Sequence, residues 1–138
     1  MADKIRLRVV TPRRLVLDEE VDEVTAPGAL GEFGVLPNHI AFLSLLNPGE
    51  MTYKHGASKR MLAVSGGYAE VLDNVMTVLA PAAEFGTEID TNRAQRAKER
   101  AEKQMAELNR EEQDFDMAEA ALHRALVRLQ VAGKETRK

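Results

Sequence analysis

Residues 75–108, with the sequence VMTVLAPAAEFGTEIDTNRAQRAKERAEKQMAEL, contain the change of pattern that divides the chain into two parts. Before Gly86 this stretch is rich in apolar residues, whereas after it charged residues and alanine dominate and no glycine or proline occurs. The whole chain is divided in the same way, because all five Pro and eight of the nine Gly lie within residues 1–86. Since both residue types interrupt helices, the composition predicts two domains, residues 1–86 and residues 87–138.

The second part is predicted to be a helical hairpin. Asp90 is a good N-cap for a first helix, which then carries apolar residues at helical spacing: Ala94, Ala97, Ala101, Met105 and Leu108. Residues 109–114 are expected to form a polar connection. The second helix is expected to end at Gly133 and to present a matching face of Phe115, Ala118, Leu122, Ala125 or Leu126, and Leu129. Because the link is short, we expect the helices to pack antiparallel.

The first part shows short strand patterns. The predicted strands are residues 4–9, a strand containing Val21 and Val24, and residues 40–46, 60–64, 68–72 and 75–80. Turn signals are expected to end them at Ala26-Pro27-Gly28, Asn47-Pro48-Gly49, Ser65-Gly66-Gly67 and Asp73-Asn74, the last as a two-residue hairpin turn. Residues 40–46 are almost wholly apolar, which predicts a buried strand. The pattern favours an antiparallel β-sandwich or barrel followed by the helical hairpin.

Composition excludes several classes of function. With 22 acidic and 19 basic residues and 4% aromatics, the chain lacks the basic field of a nucleic-acid-binding protein. Its longest apolar stretch, residues 40–46, is too short to span a membrane. The absence of Cys excludes disulfides and thiolate catalysis. No export signal precedes the first strand, so we expect a cytosolic protein.

Chemical motifs are also lacking. His39, His55 and His123 do not stand at metal-ligand spacing, and no combination of nucleophile, base and acid occurs, so we predict neither metal ligands nor catalytic residues. The glycines of residues 28–34 do not have the spacing of a dinucleotide-binding loop. We expect them to allow positive φ in a surface loop.

Charge is distributed in blocks along the hairpin. Residues 93–103 carry a net charge of +3, residues 107–119 a net charge of −5, and residues 124–138 a net charge of +4. Four basic side chains share one face of the first helix: Arg93, Arg96, Arg100 and Lys103. This face is either simply solvated or an anion-binding surface, because guanidinium groups bind carboxylates and phosphates. Since the apolar face of the first helix is mostly alanine, we also expect the packing of the two helices to be exchangeable.

Six segments, which follow one another in the expected order along the chain, closely resemble the epsilon subunits of F-type ATP synthases. They are GALGEFGVLPNH (28–39), LNPG (46–49), SGGYAEV (65–71), NVMTVLA (74–80), IDTNRA (89–94) and AALHRA (120–125). The resemblance covers nearly the whole chain. It implies a β-sandwich and a helical hairpin, the same architecture that the residue patterns predict.

The resemblance implies a non-catalytic subunit of the central rotor stalk, in a complex that makes ATP with a proton or sodium gradient. The sandwich would bind the gamma subunit and the membrane c-ring, through an edge formed by Gly31, Glu32, Phe33 and His39. The hairpin would either fold on the sandwich or extend into the alpha/beta catalytic head and inhibit ATP hydrolysis. In the extended state a beta subunit would be contacted by Arg93, Arg96, Arg100, Arg124 and Arg128.

A regulatory nucleotide is the second implication of the resemblance. Some members bind ATP on the folded hairpin through a motif that residues 89–94 match, although no cofactor is required. The ATP-binding residues would then be Glu84, Asp90, Arg93, Arg100, Arg124 and Arg128. The alternatives to the rotor subunit are thus an ATP-sensing module and an unrelated adaptor with a charged hairpin. Membrane association is expected only through the complex, at the cytoplasmic face of a bacterial inner membrane.

Overall fold

The computed structural model describes residues 4–136 and divides into two compact units, Met1–Phe85 and Gly86–Lys138. The first unit is a β-sandwich. Its strands are β1 (Ile5–Val10), β2 (Leu15–Val21), β3 (Glu23–Gly28), β4 (Gly31–Val35), β5 (Phe42–His55), β6 (Ser58–Leu72), β7 (Val75–Leu79) and β8 (Ala83–Phe85). They are hydrogen-bonded in the order β2-β1-β7-β6-β5-β3-β4, and β8 pairs with β6. All pairings are antiparallel except that of β1 with β7.

Two long strands connect the layers of the sandwich. In β6 the core-facing residues have even numbers at Leu62 and Val64 but odd numbers at Ala69 and Val71. The inward face changes at Gly66 and Gly67, whose φ angles of 112° and 98° are unfavourable for other residues. A Cβ atom at Gly67 would lie 2.0 Å from the carbonyl oxygen of Leu79, so only glycine fits there.

The paired strand β5 changes its inward face at the same level. Leu46 faces the core before residues 47–50, and Met51 and Tyr53 face it afterwards. Because β5 and β6 switch together, one continuous ladder supplies inner faces to both layers. The prediction that Asn47-Pro48-Gly49 and Ser65-Gly66-Gly67 end strands is therefore wrong, since these residues lie inside β5 and β6.

Three other strand predictions need correction. The single strand expected around Val21 and Val24 is two strands, β2 and β3, separated at Asp22. Residues 28–34 are not a surface loop throughout, because β4 begins at Gly31. Within this segment only Gly31 has a positive φ, at 128°. The short strand β8 was not expected from the sequence.

The hairpin turn between β6 and β7 is confirmed. Asp73 and Asn74 both adopt positive φ, 50° and 64°, as a two-residue hairpin turn requires. The side chain of Asn74 also holds neighbouring segments. Its Oδ1 accepts from the amide of Asn38 at 2.8 Å, and its Nδ2 donates to the carbonyl oxygen of Lys4 at 2.9 Å.

The second unit is the expected helical hairpin. It begins with a short 3₁₀ helix, η1 (Gly86–Glu88), followed by α1 (Thr91–Glu107) and α2 (Gln113–Thr136). Asp90 is confirmed as the N-cap of α1, since its Oδ1 accepts from the amide of Arg93 at 3.0 Å. The C-terminal part of α2 packs on η1, which directly precedes α1, so the two helices run antiparallel. Among residues 4–136, no helix is long and apolar enough to cross a membrane.

The most deeply buried residues of the seam between the helices are alanines. The seam residues that are at most 4% exposed are Ala94, Ala101, Ala118, Ala125 and Ala132. Of the two alternatives for the second helix, Ala125 is therefore buried, while Leu126 is exposed. The prediction that α2 ends at Gly133 is wrong, because the helix continues to Thr136. A second buried stripe on α2, formed by Val127, Val131 and Glu135, was not expected.

Candidate interaction surfaces

The outer face of strands β5–β7 carries an exposed apolar patch, which we call the outer patch. Leu45 lies opposite Tyr68, which in turn lies opposite Leu79. Leu43 and Leu72 stand two or four residues further along the same faces of their strands. Leu43 and Leu45 are each 67% exposed, and Tyr68 and Leu72 are also exposed. Contiguous exposed apolar side chains of this kind are typical of protein–protein contact surfaces.

Charged side chains border the outer patch on β1 and β2. Arg8 lies opposite Thr77 of β7, and Arg6 lies opposite Val75, so both arginines continue the outer face. The Nε atom of Arg6 donates to Oδ1 of Asp18 on β2 at 2.7 Å. This hydrogen bond lowers the pKa of Asp18 and raises that of Arg6. An apolar centre with a charged border is the usual anatomy of an interface.

The sequence prediction missed this surface. Residues 40–46 were expected to form a buried strand, but Ile40 precedes β5 and is exposed, as are Leu43 and Leu45. A signal was nevertheless present, because a strand that is apolar at nearly every position is usually covered on both faces. In this unit one face lies on the core, and the other is the outer patch.

The edge predicted from the resemblance lies at β4 and the turn that follows it. Phe33 and His39 do come together, since the ring of Phe42 lies 5.1 Å from that of Phe33 and 5.6 Å from that of His39. Gly31 and Glu32 are exposed at the start of β4. Nearby in the chain, Leu30 and Leu36 are exposed as well. The four predicted residues thus belong to one aromatic and partly apolar edge.

The hairpin presents the predicted basic residues at its end away from the bend. Because α1 and α2 are antiparallel, Arg93 and Arg96 near the start of α1 share that end with Arg124 and Arg128 of α2. Arg93, Arg96, Arg100 and Arg124 are exposed, and Arg128 is half-buried. The acidic residues 107–119 lie at the bend, most of them exposed. The charge blocks are therefore spatially separate.

The residues predicted to bind ATP belong to both units. Glu84 lies in β8 of the first unit, and the other five lie in the second. Asp90 is already engaged in capping α1. Within residues 4–136, no three His, Asp or Glu side chains are grouped so that they could hold a metal ion.

Comparison with known families matches both units. The family described as "ATP synthase, Delta/Epsilon chain, beta-sandwich domain" matches residues 4–86. The family described as "ATP synthase, Delta/Epsilon chain, long alpha-helix domain" matches residues 87–133. The two matches together span almost the whole chain.

Similar proteins extend over the same length. An ATP synthase epsilon chain of Syntrophobacter fumaroxidans is 55% identical over 134 residues, covering 97% of this chain and 99% of its own. One of Geobacter metallireducens is 53% identical over 138 residues, covering 100% of both chains.

Two solved structures share the architecture. A chain of the Euglena gracilis mitochondrial ATP synthase, in a structure of OSCP, F1 and c-ring, matches with a TM-score of 0.69 and 25% identity. That match covers 97% of this chain and 80% of the other. A chain from the central stalk and c-ring of the Tetrahymena thermophila mitochondrial ATP synthase has a TM-score of 0.59 and 16% identity. This match covers 95% of each chain and shows the fold alone.

Proposed function

This chain belongs to the ATP synthase delta/epsilon chain family, and we propose that it is a non-catalytic central-stalk subunit of an F-type ATP synthase. In this role it couples the gamma subunit to the c-ring during ATP synthesis driven by a proton gradient. It also restrains ATP hydrolysis through α1 and α2. The membership itself weighs against an unrelated adaptor.

The outer patch is the observation that carries the rotor assignment. Its exposed leucines and Tyr68 would be costly to leave in water, and a partner that covers them removes that cost. We assign this face to the gamma subunit. The edge formed by Gly31, Glu32, Phe33 and His39 then remains for the polar loops of the c-ring, because it lies at a different border of the sheet, beyond β3.

The basic end of the hairpin supports the regulatory part of the proposal. Arg93, Arg96, Arg100, Arg124 and Arg128 can bind carboxylates of a beta subunit bidentately when the hairpin enters the catalytic head. Burial of alanine stabilises the seam much less than burial of leucine would. The helices can therefore exchange their mutual packing for contacts with the head at moderate cost.

ATP sensing is the second candidate, favoured by the convergence of arginines at one end of the hairpin. Arg93, Arg124 and Arg128 can together bind a triphosphate, and ATP bound to the closed hairpin would favour that state by its differential affinity. Isothermal titration of the full chain at millimolar ATP tests this candidate. It should be dropped if no binding is measured, or if Arg93→Ala leaves binding unchanged.

Reconstitution tests the main proposal. A catalytic head that lacks its epsilon subunit is combined with the full chain or with residues 1–86, and ATP hydrolysis is measured across ATP concentrations. We expect both chains to bind the gamma subunit and only the full chain to inhibit hydrolysis. Failure of both to bind gamma would refute the rotor assignment, and equal inhibition by both would refute the role of the hairpin.

A further inference from the structure

The last turns of α2 close tightly over the backbone at the start of the second unit. Gly86 is buried, and a Cβ atom placed on it would lie 2.6 Å from the Cβ of Glu135 and 2.8 Å from the carbonyl oxygen of Val131. Both distances are too short for real contacts. Only glycine therefore lets α2 approach this segment so closely.

Glu135 adds a hydrogen bond to this contact. Its Oε1 accepts from the amide of Thr87 at 3.2 Å, and the residue is only 8% exposed. A buried carboxylate is tolerated when it accepts hydrogen bonds, and such charge-assisted bonds are stronger than neutral ones. Val131, one turn earlier in α2 and 0% exposed, supplies the apolar part of the contact.

This contact lies at the end of the hairpin opposite the bend. Gly86 and Thr87 join the two helices to the preceding unit, whereas Glu135 lies at the far end of α2. α2 cannot leave α1 and η1 without breaking the bond between Glu135 and Thr87. Because burial of alanine stabilises the seam less than burial of a larger side chain, this terminal contact adds to what keeps the hairpin closed.

We propose that Glu135, Val131 and Gly86 form a latch that sets the ratio of closed to open hairpin. The latch itself is a property of this chain, and its regulatory meaning rests on the function proposed above. Loss of the Glu135 carboxylate leaves the Thr87 amide without this acceptor and favours opening. A methyl group at Gly86 pushes α2 away from the segment and acts in the same direction.

Spin labels on the full chain measure the ratio directly. The chain contains no Cys, so labels can be placed uniquely at Gln95 on α1 and Gln130 on α2, both exposed. We expect one short distance in the parent chain and a second, longer one in Glu135→Ala and Gly86→Ala. The ratio of open to closed hairpin should rise by about tenfold in Glu135→Ala, as expected for loss of a hydrogen bond to a charged group.

Two further variants control the experiment. Gly133→Ala changes a glycine of the same helix where an added Cβ meets no atom within 4 Å other than its chain neighbours and the nearby backbone of its own helix, so the distance distribution should not change. Glu135→Gln keeps an acceptor oxygen and nearly the same shape. It should open the hairpin less than Glu135→Ala, and it reports on the latch even if the alanine variant loses helix content.

The latch is overturned if Glu135→Ala, Glu135→Gln and Gly86→Ala all keep the parent distance distribution. It is also overturned if Gly133→Ala opens the hairpin as much as Gly86→Ala does. The regulatory role is tested separately, by inhibition of ATP hydrolysis in the reconstituted complex. Opening without altered inhibition supports the latch and refutes the regulatory role, whereas no opening refutes the latch whatever the ATPase shows.

Discussion

Leu45 of β5 and Tyr68 of β6 lie directly opposite each other in the sheet, and both side chains are exposed rather than packed on the core. A cross-strand pair of leucine and tyrosine contributes substantial apolar area. Tyrosine is also one of the residue types that most often dominate the binding energy of an interface. The pair marks the middle of the outer patch.

A charge placed in the outer patch should weaken docking without unfolding the chain. We expect Leu45→Lys to weaken binding to the gamma subunit by at least about tenfold, because the ammonium group would have to be desolvated in the interface. Titration calorimetry with the gamma subunit measures the loss. Met117→Lys, which alters an exposed apolar residue of α2, is the matched control and should bind normally. Equal affinity of both variants would contradict the assignment of this face.

Removal of the basic residues on α1 should relieve inhibition of ATP hydrolysis. We expect Arg96→Ala combined with Arg100→Ala to reduce inhibition several-fold, and inhibition by the parent chain to weaken as salt screens the charges. Arg13→Ala, at an exposed position between β1 and β2, is the control. If the double variant inhibits as strongly as this control, the basic face is merely solvated.

Acid should destabilise the first unit through Asp22 and Asp18. The pKa of Asp22 is lowered chiefly by a hydrogen bond from Lys4, and further by one from the amide of Gly56. A lowered pKa in the folded state stabilises the fold above the unfolded value and not below the folded one. The free energy of unfolding should therefore fall as the pH drops below about 4.

Chemical denaturation at a series of pH values measures this effect. Asp22→Asn should have a smaller decline of unfolding free energy between about pH 4 and pH 2 than the parent chain, since it has no charge to lose. Glu119→Gln, at an exposed position of α2, should keep the decline of the parent chain. An unchanged decline in Asp22→Asn would show that this carboxylate does not contribute.

The alanine seam should be both weak and intolerant of larger side chains. Ala101 is 2% exposed, so Ala101→Leu should destabilise the closed hairpin by about 1–3 kcal/mol through overpacking. Ala106→Leu, on the exposed side of α1, should have little effect. Amide hydrogen exchange measures the stability of the hairpin in both variants.

In the parent chain, amide hydrogen exchange should be faster in residues 94–108 than in the core strands. Equal protection of helix and core amides would contradict exchangeable packing.

Local sequence patterns were enough to predict the two-part architecture, the hairpin turn at Asp73-Asn74 and the cap at Asp90. These features depend on neighbours in the chain: the spacing of apolar residues, the glycine and proline content, and side chains that bond to nearby amides. The basic face of α1 followed from the charge pattern and helical spacing, whereas the edge around Phe33 came from a resemblance between segments that occur in the same order along the chain. Local patterns could not separate Ala125 from Leu126, since both fit a helical face.

Long-range packing determines which apolar residues are exposed and which distant segments meet. Gly66 and Gly67 allow β6 to change its inward face instead of ending, so the outward exposure of Leu43 and Leu45 depends on pairing with that strand. Gly133 lies within α2 and does not end the helix. Glu135 meets Thr87 across 48 positions of sequence because the helices are antiparallel. Such contacts depend on long-range packing, which no local periodicity encodes.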